Sequence, residues 1–378
     1  MSVYLDNSAT TKPTKEVADK VYEMLVDKFG NPSSFHREGL TANDEMRLAR
    51  ETVAKSLSCQ AEEIYFTSGA TEANNLAIFG SAYANRRKGR RIVTTAIEHE
   101  SVLEATAQLE KEGFEVVRLM PDKQGNITEE QIFDAVNGDT ILVTMMYINN
   151  EVGSVLPVKT IKKAVERAKA PALIHIDCVQ AFGKVEVKPA KLGADMISIT
   201  AHKIHGPKGV GALYLKKGAR IIPRTYGGEQ EKKIRPGTQS SPLIAGFGVA
   251  VSQIPDFNES SKKISELNAY ARQELSKIDG VSFNNSTDSS DYILNVYVPT
   301  FMTSQTIVQH LSSQYGVYVS NGSACAKGKK SHVLTAMKLS DKVIEKSIRI
   351  SFCRFTTKQD IDALVEALKQ TTKNYPRQ

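Results

Sequence analysis

Between residues 60 and 215 the chain alternates six short β-rich runs with polar turns and helix-like stretches. Helical patterns such as TEANNLAIFGSAYANRR and VKTIKKAVERAKA fill most of the gaps. The six runs are IYFT (64–67), RIVTT (91–95), TILVTMMY (140–147), ALIHID (172–177), DMISIT (195–200) and GALYL (211–215). Strands that alternate with helices favour a largely parallel sheet covered by helices on both faces. The sequence therefore predicts an α/β fold in this part of the chain.

The pattern changes after about residue 245, where strands and helices no longer alternate regularly. They are a polar helix (258–278), a strand-like YILNVYV (292–298), a helix around 305–314, strand-like VYVS (317–320) and SIRISFC (347–353), and a final helix (358–375). A chain of 378 residues is long for a single core. We predict a large domain of residues 15–245 and a smaller α+β domain formed by residues 1–14 and 246–378.

Composition excludes several classes of protein. No apolar run is long enough to span a bilayer, and no basic-then-apolar leader opens the chain, so we expect a cytoplasmic protein with no membrane contact. The four cysteines, Cys59, Cys178, Cys325 and Cys353, lie far apart in the sequence, and we interpret them as free thiols. The net charge of +7 is compatible with an acidic partner or RNA, but it is too diffuse to indicate sequence-specific nucleic-acid binding.

Polar or ionisable residues lie at or just after the ends of five of the six predicted strands. In open α/β sheets, ligands bind just beyond the carboxyl ends of the strands, so these residues are candidates for one shared site. They are Ser68-Gly69-Ala70-Thr71, Glu98-His99, Asn149-Asn150-Glu151, Asp177 with Gln180, and Thr200 with His202 and Lys203. Taken singly, each has an ordinary structural explanation, such as a helix cap or a turn. Their joint position at one edge of the sheet favours a functional explanation.

Lys203 is the most informative of these residues. It follows an apolar run, lies between His202 and His205, and precedes three glycines. Such a setting predicts a lysine with a lowered pKa and a nucleophilic amine, because desolvation and neighbouring charge disfavour the ammonium form. Pyridoxal phosphate needs a lysine for its Schiff base, a carboxylate for the ring nitrogen and a phosphate seat. Lys203, Asp177 and the turn 69–71, which opens a helix, can supply these three groups.

With these residues in this order, the chain resembles the cysteine desulfurases, in the class V aminotransferase branch of fold-type I pyridoxal phosphate enzymes. The blocks that carry the resemblance run in order from residue 4 to residue 357: YLDNSATT, FGNPSS, FTSGATEANNLAI, EHESV, NNEVG, IDCVQAFGK, AHKIHGPKGVGALY, RPGTQ, GSAC and SIRISFCRFTT. They cover nearly the whole chain. The resemblance implies a large domain with a mostly parallel sheet and a smaller α+β domain.

The resemblance also implies a role for individual residues. Lys203 would form the covalent link with the cofactor, and His99 would stack on its ring and assist proton transfer. The remaining cofactor contacts would come from Ala70, Thr71, Asn150, Asp177, Gln180, Thr200, His202 and Thr238. Thr238 would reach the cofactor of a second subunit, which implies a homodimer. Asn150 and Arg349 would bind the substrate, L-cysteine.

Cys325 lies in SNGSACAKGKKSHVL, a loop of small residues and lysines. Nearby cations favour the thiolate, which is the reactive form of cysteine. By the resemblance, Cys325 would attack the sulfur of the substrate and hold it as a persulfide while alanine leaves. We interpret Cys178 and Cys353 as packing residues. This loop also has three lysines, Lys327, Lys329 and Lys330. Their charges can steer an acidic sulfur acceptor towards Cys325, or they can simply keep the loop soluble and exposed to solvent.

The sulfur acceptor stays open, because Lys329-Lys330 stand where related chains often carry Glu-Pro. An iron–sulfur scaffold, a tRNA-thiolating enzyme and thiamine synthesis are all compatible with the sequence. Within the same fold, a selenocysteine lyase or an aminotransferase is the alternative. Two more distant alternatives are a metal site built from His202, His205 and Asp177, and a basic scaffold for RNA. Neither of these two accounts for Lys203 together with the phosphate turn.

Overall fold

The computed structural model describes residues 2–322 and 330–376. Numbered in chain order, its strands are β1 (Val3–Tyr4), β2 (Ile64–Thr67), β3 (Arg91–Thr95), β4 (Glu115–Leu119), β5 (Thr140–Met146), β6 (Leu173–Asp177), β7 (Met196–Thr200), β8 (Gly211–Leu215), β9 (Ser282–Phe283), β10 (Ile293–Tyr297), β11 (Val317–Tyr318) and β12 (Ser347–Ser351). Its α-helices are α1 (Lys15–Val26), α2 (Arg37–Leu57), α3 (Ala70–Asn85), α4 (Glu100–Lys111), α5 (Glu129–Ala135), α6 (Thr160–Ala168), α7 (Pro189–Leu192), α8 (Ser241–Ser252), α9 (Phe257–Leu275), α10 (Ser304–His310), α11 (His332–Ala336), α12 (Asp341–Lys346) and α13 (Lys358–Asn374).

A seven-stranded sheet with the order β2-β8-β7-β6-β5-β3-β4 forms the centre of the fold. Its neighbouring strands are parallel except for the two pairs that involve β8. The central strands β5 and β7 are buried along their whole length, as expected for strands covered on both faces. The predicted α/β class with a mostly parallel sheet is confirmed.

Strand β4 is absent from the sequence prediction. Its residues, EVVRL, form the outer edge of the central sheet beside β3 and are mostly half-exposed. An edge strand buries little apolar surface, so the hydrophobic pattern that marks the central strands is weak there. The six runs that were predicted as strands all contain strands of the sheet.

The helices form two groups that differ in what they pack against. Helix α3 lies against β5, β7 and β8, and ten of its sixteen residues are buried, three of them polar. Helices α1 and α2 pack on α8 elsewhere in the fold. Because α3 follows β2 directly, its N-terminus lies at the same edge of the sheet as the carboxyl ends of β6 and β7.

The remaining strands form two small sheets. An antiparallel sheet has the order β12-β10-β9, and β1 pairs in parallel with β11. The N-terminal segment also forms a bridge between Asp6 and Ser351, and Thr11 donates through Oγ1 to the carbonyl oxygen of His202 at 2.9 Å. The segment therefore contacts both the small sheets and the Lys203 turn. The boundaries of the two domains stay a prediction.

Candidate active site

A cavity of about 470 Å³ opens at the carboxyl ends of the central strands. This volume lies within the range of ordinary small-molecule sites. Ten residues predicted from the sequence line it: Ala70, Thr71, His99, Asn150, Asp177, Gln180, Thr200, His202, Lys203 and Arg349. The structure thus places nearly all of the predicted site residues within one cavity.

Lys203 ends a 3₁₀ turn, Ala201–Lys203, that directly follows β7. Its Nζ donates hydrogen bonds to the carbonyl oxygens of Ser8 and Ala9, the latter at 2.8 Å. The turn is held from the same side, because the backbone N–H of His205 donates to Thr11 Oγ1 at 2.7 Å. The N-terminal segment therefore forms one wall around the lysine. Residues Ser8 and Ala9 are missing from the sequence-based list of site residues.

Asp177 is the last residue of β6 and is almost fully buried. Its Oδ1 accepts the backbone N–H of Val179 at 2.9 Å, and its Oδ2 accepts Nδ2 of Asn74 at 2.8 Å. These two bonds fix the carboxylate plane. Asn74 lies one turn into α3 and is fully buried. No feature of the sequence distinguishes Asn74 from the other polar residues of α3, so no signal for it was available in the sequence.

The N-terminus of α3 forms the second wall of the cavity. Gly69 caps the helix with φ 151°, no side chain caps the first turn, and a Cβ at Gly69 would meet nothing within 4 Å. Uncapped N–H groups at the start of a sixteen-residue helix favour a bound anion such as phosphate. Lys208, which the sequence analysis did not single out, also lines the cavity.

Two histidines of the site are held neutral. Desolvation by burial, followed by the charges of Lys203 and Lys208, lowers the pKa of His202 to about 3. Desolvation also lowers the pKa of His99, whose ring caps α4 by accepting the Ser101 N–H at Nδ1. Both rings therefore enter the chemistry as neutral groups at physiological pH.

Gln180 is oriented by two partners. Its Nε2 donates to the carbonyl oxygen of Ser8 at 2.9 Å, and its Oε1 accepts Nζ of Lys184 at 2.8 Å. Lys184 is buried, and desolvation lowers its pKa to about 7. This residue is also missing from the sequence-based list, since no feature of the sequence distinguishes it from an exposed lysine. These two bonds fix the orientation of the Gln180 amide, with its N–H₂ group directed at Ser8.

Arg349 lies on β12 of the small sheet and is 1% exposed. Its Nη1 donates to the carbonyl oxygen of Asn150 at 2.8 Å, and its Nη2 donates to Oδ1 of Asp6 at 2.8 Å. The guanidinium group is thereby held rigidly at the cavity wall. Its Nε is buried and has no hydrogen-bond partner among the described residues.

Several buried polar atoms around the cavity lack a partner in the part of the chain that the structure describes. They are Ser8 Oγ, Asn74 Oδ1, Asn150 Oδ1 and Arg349 Nε, all from residues that line the cavity. Buried polar atoms normally have hydrogen-bond partners, so these atoms show that the surroundings of the cavity are polar and can be completed by water or by a polar ligand. Together with an anion seat, a carboxylate and a lysine amine, they fit pyridoxal phosphate and an amino-acid substrate.

Other predicted residues lie elsewhere. Thr238 is exposed and does not line the main cavity, but it lines a neighbouring cavity that shares Ser68 and Gly209 with it. Cys325, with Lys327 and Lys329, lies outside the described residues. Cys178 is fully buried, and burial raises the pKa of its thiol, which agrees with a packing role.

The alternative metal site is not assembled. His205 faces the carbonyl oxygen of Lys12 through Nδ1 at 2.9 Å and packs edge-on against Phe355, whereas His202 and Asp177 line the main cavity. Among residues 2–322 and 330–376 there is no group of three His, Cys, Asp or Glu side chains that could hold a metal ion.

Comparison with known proteins agrees with this geometry. The sequence model of the family "Aminotransferase class-V" matches residues 3–364. The chain belongs to this family. It is 39% identical over 373 residues to the cysteine desulfurase IscS of Methanosarcina thermophila, covering 98% of this chain and 91% of that protein. It is 38% identical to the cysteine desulfurase IscS of Dictyoglomus turgidum, covering 97% and 94%.

Solved structures show the same relationship. A NifS-like protein superposes with a TM-score of 0.93 at 36% identity and covers 99% of this chain and all of the other. The structure described as SspA in complex with cysteine has a TM-score of 0.82 at 33% identity, with 94% of this chain covered. The family is pyridoxal phosphate-dependent, so the predictions of family, fold and cofactor are confirmed.

Proposed function

We propose that the chain is a cysteine desulfurase that converts L-cysteine to L-alanine and transfers the sulfur to Cys325. The observation that supports this proposal is that Lys203, Asp177 and the open N-terminus of α3 line a single cavity, around which four buried polar atoms lack partners among the described residues. Relatives at 37–39% identity over nearly the whole chain carry the name cysteine desulfurase, which supports the same reaction here.

In this proposal each wall of the cavity holds one part of the cofactor. The first turn of α3, with Thr71 and His202, would hold the phosphate, Asp177 the ring nitrogen and Gln180 the phenolic oxygen. Lys203 would hold the aldehyde carbon. When bound, pyridoxal phosphate supplies an electron-withdrawing ring that weakens the bonds to the α-carbon of an attached amino acid. The Lys203 amine then lies where it can move the α-proton.

Arg349 and Asn150 are the proposed substrate contacts. Asp6 and the carbonyl oxygen of Asn150 hold the guanidinium group, while its Nε is buried and has no partner among the described residues. A fixed guanidinium group binds a carboxylate with defined geometry, as the α-carboxylate of cysteine requires. Asn150 Oδ1, also without a partner among the described residues, can accept a hydrogen bond from the substrate amine.

The role of Cys325 is inferred from its sequence block. Its thiolate would attack the sulfur of the substrate, so that a sulfur–sulfur bond forms as the carbon–sulfur bond of cysteine breaks. The carbon released from sulfur takes a proton and becomes the methyl group of alanine. One cysteine and one enzyme thiol thus give one alanine and one enzyme persulfide.

We also propose that the enzyme is a homodimer in which Thr238 of each subunit completes the partner's phosphate seat. Thr238 is exposed and lies outside its own main cavity. Large apolar side chains on and after α1 are exposed as well, which is unusual unless another surface covers them. They are Tyr22, Leu25, Val26, Phe29 and Phe35, the last at 95%. Light scattering on the purified protein should give twice the mass of the chain.

The physiological partner would be a cytoplasmic sulfur-acceptor protein, either an iron–sulfur scaffold or a tRNA-thiolating enzyme. No helix within the described residues is long and apolar enough to cross a membrane. Lys330 contributes less to steering than its sequence position predicts, because its Nζ pairs with Asp341 at 2.9 Å and with Glu345 at 3.2 Å. Any steering charge therefore comes mainly from the other two lysines of the loop, Lys327 and Lys329.

Two variants test the proposed function. Lys203→Ala should lose both alanine formation from cysteine and the borohydride-reducible adduct with the cofactor. Cys325→Ala should keep the cofactor colour and bind cysteine, yet form neither alanine nor persulfide at a useful rate. Cys59→Ala is the matched control, because burial raises the pKa of that thiol to about 12 and it lies outside the site. Wild-type turnover by Cys325→Ala would overturn the assignment.

A further inference from the structure

A chain of hydrogen bonds connects Asp177 with His99 through two residues that have no assigned role. Asn74 donates from Nδ2 to Asp177 Oδ2 at 2.8 Å and to Ser101 Oγ at 2.9 Å. Ser101 Oγ lies 2.9 Å from His99 Nδ1, and the backbone N–H of Ser101 donates to the same Nδ1 at 3.1 Å. Asn74 and Ser101 are both buried.

The direction of every bond in this chain follows from its ends. A buried carboxylate oxygen accepts, so the Asn74 atom beside Asp177 is the amide nitrogen, and its two N–H groups reach Asp177 and Ser101. Ser101 Oγ already accepts from Asn74, which leaves its hydroxyl proton for His99. The backbone N–H of Ser101 can only donate. His99 Nδ1 therefore accepts from two donors and carries no proton itself.

We propose that Asn74 and Ser101 are positioning residues that hold His99 in the tautomer with its proton on Nε2. Nδ1 faces the start of α4 while the ring lines the cavity, so the opposite edge, with Nε2, faces the reacting groups. His99 then presents a hydrogen-bond donor to the substrate, and it cannot act as a base through Nε2 until this tautomer changes. The tautomer itself is independent of the proposed function, whereas its catalytic meaning rests on it.

Other charged groups also act on His99. Asp177, Lys203, Glu100 and His332 all influence its pKa from the surrounding elements. His202 lines the same cavity. None of these is altered by a substitution at Ser101, so a change in His99 on such a substitution isolates the hydrogen-bond chain from the general electrostatics of the site.

The test is ¹⁵N NMR of the holoenzyme labelled at histidine. The chain has seven histidines, and the His99→Gln variant identifies the signals of His99 by their loss. In the wild type, Nδ1 should resonate as an unprotonated and Nε2 as a protonated ring nitrogen between about pH 7.5 and 8.5, where a histidine with a lowered pKa is neutral. Protonated Nδ1 in this range would overturn the proposal.

Three variants separate positioning from folding. Ser101→Ala should raise the pKa of His99 by about one unit, since the neutral ring loses one hydrogen-bond donor. Asn74→Ala should raise the pKa in the same direction with Ser101 intact, because the freed hydroxyl oxygen can then accept from a protonated Nδ1. Ser101→Thr keeps the hydroxyl and should retain the wild-type pKa and tautomer.

The results have distinct meanings. An unchanged His99 pKa in Ser101→Ala, or no rescue by Ser101→Thr, would refute the positioning role. If the NMR result holds and the wild-type enzyme makes no alanine from cysteine, the proposed function fails while the hydrogen-bond chain stands. If alanine forms but Nδ1 is protonated, only the inference about Asn74 and Ser101 fails.

Discussion

Lys184 should make the stability of the apoenzyme depend strongly on pH. This lysine is 7% exposed, donates to Gln180 Oε1 at 2.8 Å and lies 5.6 Å from the ring of Tyr292. Desolvation, followed by the charges of Lys203 and Arg349, lowers its pKa from 10.5 to about 7. The folded chain therefore releases this proton at a lower pH than the unfolded chain.

The sign and size of the effect follow from linkage. Between pH 7 and 10.5 the unfolded chain binds more protons at this position than the folded chain, so the free energy of unfolding rises with pH. The slope approaches about 1.4 kcal/mol per pH unit well above the folded pKa and is half of that at the folded pKa. From pH 7 to pH 9, Lys184 should thus contribute an increase of about 2 kcal/mol.

The assay is urea unfolding of the apoenzyme at pH 7 and pH 9, at one protein concentration. The chain has no tryptophan, so circular dichroism is the suitable probe. Between the two pH values, the free energy of unfolding should rise by about 2 kcal/mol more in the wild type than in Lys184→Met. Lys163→Met, at an exposed position of α6, is the matched control and should follow the wild type.

The comparison uses the difference between two pH values within each variant, so the packing change caused by methionine cancels. Equal pH dependence in the wild type and Lys184→Met would refute the reasoning, because it would show that Lys184 keeps its proton in both states. If the free energy of unfolding rises more with pH in Lys184→Met than in the wild type, the predicted sign of the Lys184 contribution is wrong.

Three further predictions concern other parts of the chain. Lys233→Gly should raise the free energy of unfolding in urea by about 0.5–1 kcal/mol, because Lys233 has φ 66°, in the left-handed region that favours glycine. Lys163→Gly in α6 is the control and should lower it by about 1 kcal/mol. Arg349→Lys should lower kcat/KM for cysteine by about tenfold or more in steady-state kinetics, since an ammonium group cannot reproduce the guanidinium contacts. Replacement of both Lys327 and Lys329 by glutamate should slow sulfur transfer to a protein acceptor several-fold at low salt, and should slow turnover with a small thiol less. Equal losses of rate in the two assays, independent of salt, would argue against steering.

The parts of the fold that sequence predicts well are those in which burial dictates the residues. Strands such as β5 and β7 are buried on both faces and have mostly apolar sequences. The edge strand β4 was missed because its residues are mostly half-exposed and its pattern is weak. Hydrophobic periodicity reports burial, and it carries little information where one side of an element faces water.

The candidate site divides in a similar way. Residues at or just after the end of a strand, such as Asp177 and Lys203, could be placed from the sequence, because the carboxyl ends of parallel strands meet at one edge. Asn74, Ser101 and Lys184 could not be placed in this way. Their contacts depend on where α3, α4 and the segment after β6 meet, and no local pattern encodes that distance. A buried lysine and an exposed lysine look the same in a sequence.

The sequence by itself determined the alternation of strands and helices, the class of sheet and the residues at its carboxyl edge, because these depend on local periodicity and chain order. The tertiary structure decided which groups touch: Ser8 and Ala9 on the amine of Lys203, Asp6 on Arg349, and the bonds from Asp177 through Asn74 and Ser101 to His99. The partners in most of these pairs lie far apart in the chain. Hydrogen bonds act over about 3 Å, so such pairs are defined only when packing brings the elements together.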